Sequence, residues 1–391
     1  MQTLSDLDLS GKRVLTRVDF NVPMEDGDGG RRITDDTRIR GALPTIRAIL
    51  DAGGTPVLLS HLGRPKGERK DALSLRPVAD RLAELLGAEV TFCDETIGDA
   101  AAACVEGAAA GSVVLLENTR FLPGETANDP ETARQLAALG DVFVSDAFGS
   151  VHRAHASTAG VAEHLPSAAG LLLAKELEYL HGALEDPDRP FVAVLGGAKV
   201  SDKIGVIQAL APKVDRLLIG GAMAYTFLRA LGHETGSSLV EEDKTDEAFR
   251  LYDEFRDTLV LPTDHVVADA FAADAETKTV EEIPDGWMGL DIGPVTREQY
   301  ADILTNAKTV IWNGPMGVFE MDAFAGGTRR VAQALAEATE AGAVTVVGGG
   351  DSVAAINEAE LADRVSHVST GGGAMLELLE GQTLPGVAAL D

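Results

Sequence analysis

Short apolar runs that alternate with helix-forming stretches restrict the fold of this chain more than any other feature. They occupy residues 13–18, 55–59, 89–92, 112–116 and 142–144 in the first half, and residues 191–195, 216–219, 266–268, 309–312 and 344–347 in the second. Strands that alternate with helices build a parallel sheet with helices on both of its faces. Because the pattern occurs twice in 391 residues, of which 45% are apolar, we predict an α/β protein with two doubly wound parallel-sheet domains.

A helical segment separates the two halves. Its leucines recur at helical spacing, and two prolines follow it within a few residues, at positions 187 and 190. We therefore predict a first domain of residues 1–168, a connector helix of residues 169–185 and a second domain of residues 186–391. The last residues of the chain are expected to pack back on the first domain.

Polar side chains follow the strands of the first half. They are Asp19, Asn21, His61, Arg64, Arg120, Asp146 and Arg153, and Arg38 comes from the segment ITDDTRIRG. Ligands of parallel sheets gather at the carboxyl ends of the strands. The chain has 33 basic and 62 acidic residues, so a cluster of arginines at one sheet edge would be costly without an anionic partner. We predict a site for a small phosphorylated acid; the alternative is that these arginines pair with carboxylates in a solvated rim.

Glycines take the place of arginines at the strand ends of the second half. In VTVVGGGDSVAAI, at residues 344–356, a β-branched run, three glycines and helix-forming residues indicate a strand, a turn and a helix that can bind phosphate. Asp351 would hold a divalent cation that accompanies the phosphates, and Ser352 would hydrogen-bond a phosphate oxygen. The alternative is an ordinary tight turn with Asp351 as the N-cap.

Two of the chain's ten lysines stand in the glycine-rich segment LGGAKVSDK. Lys199 and Lys203 are four residues apart, which predicts that they share one helical face close to the nucleotide, unless that face is simply solvated. STGGGAMLELLEG, at residues 369–381, offers a second helix start that can face an anion. Trp312 and Phe319 are interpreted as packing residues.

Several classes of function are excluded or disfavoured. No GxxxxGK[ST] is present, VHRAHA lacks the aspartate of a protein-kinase catalytic loop, and both glycine triplets fail GxGxxG. The net charge of −29 repels nucleic acid and anionic membranes.

The sequence also predicts where the protein works. No apolar run is long enough to span a membrane, and the N-terminus lacks a signal-peptide core. Cys93 and Cys104 are expected to be buried or idle thiols in a reducing compartment, the cytoplasm.

The excess of acid, with few lysines among the bases, resembles the surfaces of proteins from salt-saturated cytoplasm. The alternative is an ordinary acidic cytosolic protein.

Nine motifs, in order along the whole chain, resemble those of the phosphoglycerate kinase family. They are RVDFNVP, SHLGRP, ENTRF, DAFG with HRAH, LGGAKVSDK, GGAMAYTFL, WNGPMGVFE, VVGGGDS and STGGGA. The resemblance implies two domains that face each other across a cleft. It also implies reversible phosphoryl transfer from 1,3-bisphosphoglycerate to MgADP, giving 3-phosphoglycerate and ATP, in glycolysis and gluconeogenesis. A monomer that binds no nucleic acid and no membrane is expected.

The same resemblance implies roles for individual residues. It places phosphoglycerate on Asp19, Asn21, Arg38, His61, Arg64, Arg120 and Arg153. It places ADP or ATP on Gly196, Gly197, Lys203, Gly221, Asn313, Glu320, Gly349, Gly350 and Ser352, with Glu320 at the ribose and Asp351 at Mg²⁺. The implied catalytic groups are Arg38, Lys199, Gly372 and Gly373.

His61 is interpreted as an anion ligand, and His152 and His155 as structural or rim residues. The chain departs from the family pattern at Thr119, Ser352 and Met375, and Asp35 and Asp36 could weaken anion binding at Arg38.

Two other classes of protein stay open. A nicotinamide-dependent or sugar-phosphate enzyme of similar fold would not need Lys199 together with Asp351. A relative that only binds nucleotide would keep the glycines but lose Lys199 or Arg38, and both residues are present.

Overall fold

The computed structural model describes residues 1–27, 30–109 and 111–391, which form two compact units. One unit comprises residues Met1–Leu177 with Thr383–Asp391, and the other comprises Glu178–Gln382. The division between the units falls inside a single helix, Leu171–Glu185.

The first unit contains a six-stranded parallel sheet and a small hairpin. Its strands are β1 Arg13–Arg17, β2 Met24–Gly27, β3 Gly30–Ile33, β4 Thr55–Leu59, β5 Val90–Cys93, β6 Val113–Leu116, β7 Val142–Ser145 and β8 Ser167–Ala169. Its helices are α1 Thr37–Asp51, α2 Arg76–Leu86, α3 Gly98–Glu106, α4 Pro130–Ala137 and the first half of α5 Leu171–Glu185. The parallel sheet has the strand order β5, β6, β4, β1, β7, β8, and β2 pairs with β3 in the antiparallel hairpin.

The parallel strands are short and almost wholly apolar because both of their faces are covered. On one face, Ile46 of α1 and Leu82 of α2 pack in the same cluster as Leu58 of β4 and Leu115 of β6. The first sheet thus buries its side chains and leaves the loops after its strands at one edge.

The second unit is built around another six-stranded parallel sheet. The strands of this unit are β9 Phe191–Leu195, β10 Arg216–Ile219, β11 Leu259–Val260, β12 His265–Ala268, β13 Thr277–Val280, β14 Met288–Ile292, β15 Thr309–Asn313, β16 Val344–Gly348 and β17 His367–Val368. Strands β12, β13 and β14 form a separate three-stranded sheet. The helices from here to the chain end are α6 Ile204–Leu210, α7 Met223–Ala230, α8 Thr245–Glu254, α9 Pro294–Thr305, α10 Gly326–Glu340, α11 Gly350–Glu358, α12 Gly372–Leu379 and α13 Pro385–Ala388, the last of which belongs to the first unit.

The strand order of the second sheet is β11, β10, β9, β15, β16, β17. The chain winds one way from β9 to β11 and then the other way from β15 to β17. In such a sheet the loops after the two central strands, here β9 and β15, diverge and leave a crevice for a ligand.

One predicted strand belongs to a different sheet. Residues 266–268, expected in the second parallel sheet, lie in β12, which pairs antiparallel with β13 and β14. The short strand β11 takes the edge position beside β10 instead. A short apolar run has the same sequence signature in either kind of sheet, so its partners could not be read from the pattern.

The prediction for the two cysteines is wrong. Cys93, at the end of β5, and Cys104, in α3, form a disulfide, with Cα atoms 6.0 Å apart. The sequence separation of 11 residues matches no common motif, and only the return of α3 beside β5 brings the two sulfurs together.

Both ends of the chain are held by contacts within the first unit. The N–H of Gly386 donates to the carbonyl of Val151 at 2.8 Å, and the terminal amine of Met1 lies 3.0 Å from the Asp391 carboxylate.

Helix α5 begins two residues later than the predicted connector helix. It starts at Leu171, and Ala169 belongs to β8. None of the described helices is both long and apolar enough to cross a membrane.

Candidate active site

A basic cavity of about 190 Å³ lies at the carboxyl ends of the first sheet. The loops after β1, β4, β6 and β7 and the first turn of α1 contribute its walls. The lining includes all seven residues predicted for the phosphorylated acid: Asp19, Asn21, Arg38, His61, Arg64, Arg120 and Arg153. Parallel strands therefore bring together residues that are far apart in the sequence, as the positions of six of the seven after strands predict, and Arg38 joins them from the start of α1.

Hydrogen bonds hold several of these side chains in place. Arg38 Nη1 donates to Asp19 Oδ1 at 3.3 Å and to the carbonyl of Asn21 at 2.9 Å. The side-chain oxygen of Asn21 accepts from the N–H of Gly63 at 2.9 Å, and Arg120 Nη1 donates to the carbonyl of Gly63 at 2.8 Å. The cations are thus oriented before any ligand binds, which lowers the entropy cost of binding.

The positive charge of this cavity comes from its arginines. Burial, with smaller effects from Arg17 and Arg153, lowers the pKa of Arg120 to about 10, so its guanidinium stays charged at neutral pH. Burial also lowers the pKa of His155 to about 4, and it lowers that of His61 well below its ordinary value. Both imidazoles are therefore neutral near pH 7 and neither adds to the charge.

Asp19 is a carboxylate inside this basic cavity. Burial alone would raise its pKa, but the side chains of His61, Arg38 and Arg17 and the N–H of Asn21 together outweigh burial, and the pKa lies below its ordinary value. An ionised Asp19 repels phosphate and accepts hydrogen bonds from hydroxyl groups.

The concern that Asp35 and Asp36 compete for Arg38 does not match the contacts. Asp36 accepts from Arg40 and Arg81, each at 2.7 Å, and Asp35 accepts from the N–H of Thr37 at 2.8 Å. Arg38 is paired with Asp19 instead.

Two residues of this region were missed in the sequence. Arg17 lies fully buried inside β1, where its side chain donates to Ser157, Val18 and His61. Ser150 lines the cavity, and its buried hydroxyl has no hydrogen-bond partner among the described residues. The only sequence signal for Arg17 was its position inside an apolar run. Nothing in the sequence distinguished Ser150 from other serines.

A second cavity, of about 540 Å³, lies at the carboxyl ends of β9, β15 and β16, where the strand order of the second sheet reverses. Ten predicted residues line it: Gly196, Gly197, Lys199, Lys203, Asn313, Gly349, Gly350, Asp351, Gly372 and Gly373. Asp202 also lines it, and was not singled out in the sequence.

Two helices begin at this second cavity. Gly349 precedes α11 with φ +92°, a backbone conformation that favours glycine, and Gly371 precedes α12. The free N–H groups of both first turns and their partial positive charge form an anion-binding surface. Asp351 lies in the first turn of α11 and is not its N-cap, so the interpretation as an ordinary capped turn is wrong.

The two lysines of the second cavity differ. Lys203 is buried, and its Nζ donates to Asn313 Oδ1; burial lowers the pKa of Lys203, partly offset by Asp202 and Asp351. Lys199 is exposed, in the loop before α6. The prediction that Lys199 and Lys203 share a helical face is wrong, because α6 begins only at Ile204.

Three predicted nucleotide residues do not line this cavity. Gly221 packs against the loop at Gly197, where a Cβ would approach the Gly197 nitrogen to 2.5 Å. Ser352 is fully buried, and its Oγ accepts from the N–H of Gly314 at 2.6 Å. Glu320 is exposed outside the lining. Gly221 and Ser352 therefore contact Gly197 and Gly314, which do line the cavity, and support its walls from the protein side.

The second cavity can hold a cation that arrives with phosphates. No group of three or more His, Cys, Asp or Glu side chains suited to a metal ion occurs among the residues that the structure describes. Mg²⁺ commonly binds through one or two carboxylates, substrate phosphates and water. The exposed Asp351 carboxylate, beside two helix starts, fits that donor set.

Comparison with known proteins gives one consistent result. A family model described as phosphoglycerate kinase matches residues 4–382. A phosphoglycerate kinase of Acaryochloris marina is 59% identical over 394 residues, covering 99% of this chain and 98% of that protein. The solved phosphoglycerate kinase of Coxiella burnetii has a TM-score of 0.89 and 43% identity, covering 99% of this chain and 98% of that one. That of Pyrococcus horikoshii OT3 has a TM-score of 0.86 and 34% identity, covering 100% and 98%.

Proposed function

The chain belongs to the phosphoglycerate kinase family, and on that premise we propose how its two cavities divide the reaction between them. The enzyme transfers a phosphoryl group between 1,3-bisphosphoglycerate and ADP, with 3-phosphoglycerate and ATP as the other pair. In our proposal the basic cavity of the first unit binds the phosphoglycerate, and the glycine-rich cavity of the second unit binds the nucleotide. The observation that carries this assignment is the separation of the arginines from the paired helix starts into different cavities.

In the first cavity, Arg64, Arg120 and Arg153 bind the phosphate that is not transferred. Arg38 lies close to the reacting end of the substrate, and Asp19 accepts a hydrogen bond from its hydroxyl group. Asn21 connects the loops after β1 and β4 through its bond to Gly63. Planar guanidinium groups suit this task because each can donate two parallel hydrogen bonds to a phosphate.

In the second cavity, the N–H groups at Gly349, Gly350, Gly372 and Gly373 bind phosphate oxygens, together with Lys203 and Asn313. Gly196, Gly197 and Gly221 let the backbone come close to the nucleoside, Ser352 supports the phosphate loop, and Glu320 binds the ribose. Mg²⁺, held by Asp351 and the nucleotide phosphates, neutralises negative charge when it is bound. A Cβ built on Gly350 meets no atom within 4 Å, so that position is open to a ligand.

Phosphoryl transfer requires alignment and charge neutralisation and no covalent intermediate on the protein. Lys199, exposed at the cavity wall, follows the phosphoryl group during transfer. Arg38 and the helix start at Gly372 and Gly373 stabilise the charge that spreads over its oxygens. The carboxylate leaving group needs no proton near pH 7, which agrees with the neutral state of His61 and His155.

In our proposal the two substrates bind to different units, so transfer requires a state in which the two sites meet. In-line transfer needs the reacting oxygen and phosphorus about 3 Å apart and the exclusion of water. We expect α5 to stay helical while residues near its ends, including Gly170 and Gly182, absorb a rotation of one unit towards the other. Small-angle scattering should show a smaller radius of gyration with 3-phosphoglycerate and Mg-nucleotide together than with either alone. Full closure by one ligand would contradict this division of the sites.

The assignment of the two cavities can be tested by calorimetry on matched variants. Arg120→Ala should lose 3-phosphoglycerate binding and keep ADP binding, and Asp351→Asn should weaken MgADP binding and keep 3-phosphoglycerate binding. The wild type should form ATP from 1,3-bisphosphoglycerate and MgADP in a coupled assay. Loss of both ligands in either variant that remains folded would overturn the assignment.

We also propose that the enzyme works in a cytoplasm of high salt concentration. Net charge −29 with few lysines supports this, because strong repulsion between surface carboxylates is weakened by salt. In that setting the same enzyme serves glycolysis and gluconeogenesis, as a monomer.

A further inference from the structure

Arg17 is a fully buried cation whose hydrogen bonds go to neutral groups. Its Nε donates to Ser157 Oγ at 2.8 Å, its Nη1 to the carbonyl of Val18, and its Nη2 contacts His61 Nδ1 at 3.0 Å. Burial of a charge is costly, and Arg17 donates no hydrogen bond to a carboxylate, although Glu125 and Asp19 lie close enough to favour its charge. Arg17 does not line the basic cavity, so direct contact with a ligand does not explain its presence.

The hydrogen bond between Arg17 and His61 can have only one direction. A guanidinium group has N–H donors and no acceptor, so Nδ1 of His61 must be the acceptor. An imidazole that accepts at Nδ1 carries its proton at Nε2 and is neutral. The other neutral tautomer, and the imidazolium, would place an Nδ1–H against an Arg17 N–H.

His61 is the side chain through which Arg17 reaches the substrate site. His61 lines the cavity, and among the described residues Nδ1 makes its only side-chain hydrogen bond, so Nε2 is left for a ligand. We propose that Arg17 is a positioning residue: it fixes His61 as the Nε2–H tautomer, which donates a hydrogen bond to the anionic substrate without carrying a charge. This inference rests on the proposed binding of phosphoglycerate in this cavity.

The groups around His61 favour the same state. Burial disfavours the imidazolium, and Arg17, Arg120 and Arg38 repel it, whereas only Asp19 favours it. The substrate contact of His61 should therefore not change with pH in the range where an ordinary histidine titrates, near pH 6.5. The Nε2–H of His61 then donates a hydrogen bond at every pH in this range, while the arginines supply the positive charge of the cavity.

The first test is ¹⁵N NMR of the histidine side chains in the full-length protein, with His61→Gln used to identify the His61 signals. We expect a neutral Nε2–H tautomer from about pH 5.5 to pH 8, around the ordinary histidine pKa. An Nδ1–H tautomer, or titration of His61 in this range, would overturn the proposal. Addition of 3-phosphoglycerate should shift the Nε2 signal. An unchanged signal would overturn the substrate role while leaving the other ligand assignments to the calorimetry described above.

The second test separates positioning from a purely structural role. Arg17→Met keeps a long side chain and removes the donor. We expect KM for 3-phosphoglycerate to rise about tenfold and its pH profile to depart from that of the wild type, because one of the charges that lower the pKa of His61 is lost. KM for ATP should stay unchanged. Ser157→Ala removes another partner of Arg17 without touching His61, so it should lower stability and keep the wild-type pH profile.

If Arg17→Met does not fold, the tautomer of the wild type still decides the question. A folded Arg17→Met variant with the wild-type KM and the wild-type pH profile would refute the positioning role.

Discussion

Replacement of Asp146 by asparagine would test the electrostatics at the start of α5. Asp146 follows β7 and is fully buried, and its Oδ1 accepts from the N–H groups of Leu172 and Leu173 at 2.9 and 3.3 Å. Asparagine has nearly the same shape and can offer its carbonyl oxygen to the same two donors. The substitution therefore removes the titration of this side chain and keeps its contact with the helix.

The expected effect follows from the pKa of Asp146. Burial raises it from 3.8 to about 7, although hydrogen bonds to the helix start lower it in part. A carboxyl group with a raised pKa binds its proton more tightly in the folded state. Its stabilising contribution is complete below pH 3.8 and is lost as the pH rises towards 7. A shift of about three pKa units corresponds to ~4 kcal/mol, so Asp146→Asn should gain up to that much stability relative to the wild type between about pH 4 and pH 8.

Urea unfolding followed by far-UV circular dichroism is the suitable assay. Urea is uncharged and does not screen this acidic chain, and Trp287 and Trp312 both lie in the second unit, so fluorescence would not report on the first. Asp141→Asn is the matched control, because a hydrogen bond from Arg13 lowers the pKa of Asp141. That variant should lose stability relative to the wild type only as the pH rises to about 3.8, and the two curves should run parallel between about pH 4 and pH 8. If the Asp146→Asn and wild-type curves ran parallel over this range, the reasoning about burial would be refuted.

Three further predictions concern catalysis, salt and the cavity walls. Lys199→Ala should lower kcat by roughly two to four powers of ten with little change in ADP affinity; loss of ADP binding in proportion to rate, measured by calorimetry, would make Lys199 a binding residue. The melting temperature should rise strongly between about 0.1 M and about 1 M KCl, where the Debye length falls from about 10 Å to about 3 Å; a flat curve would contradict the high-salt proposal. Ser150→Ala should raise KM for 3-phosphoglycerate several-fold, whereas Ser145→Ala, whose hydroxyl is also buried and unpartnered among the described residues but lies outside the cavity lining, should not.

The sequence was sufficient for the fold class because buried parallel strands have a strong signature. Residues 191–195 were predicted as a strand and form β9, in which all five side chains are buried. The short edge strands β8, β11 and β17 were missed, since two or three residues carry too little pattern. The β2–β3 hairpin was also missed, because its exposed residues include charged and glycine positions in place of an apolar run.

The candidate site was predictable where topology alone decides proximity. Arg64, Arg120 and Arg153 follow different strands of one parallel sheet, so their meeting at one edge depends only on strand direction. Arg38 joins them from the first turn of α1. Arg17 could not be assigned in this way, because its role depends on which atoms of Ser157 and His61 it meets inside the protein. The exposed position of Lys199 depends on where α6 begins, and the sequence left that boundary uncertain by several residues.

The glycine triplet at residues 348–350 shows why a correct motif can still conceal distinct causes. All three glycines were interpreted as space for phosphate. A Cβ on Gly348, however, would collide with Sδ of Met375, a packing contact inside the second unit. Gly349 has φ +92°, so its backbone conformation requires glycine. Only at Gly350 does a Cβ meet no protein atom within 4 Å while the residue lines the cavity. The requirement at Gly348 is therefore tied to the packing of Met375, whereas Gly350 is open to the nucleotide that we propose for this cavity.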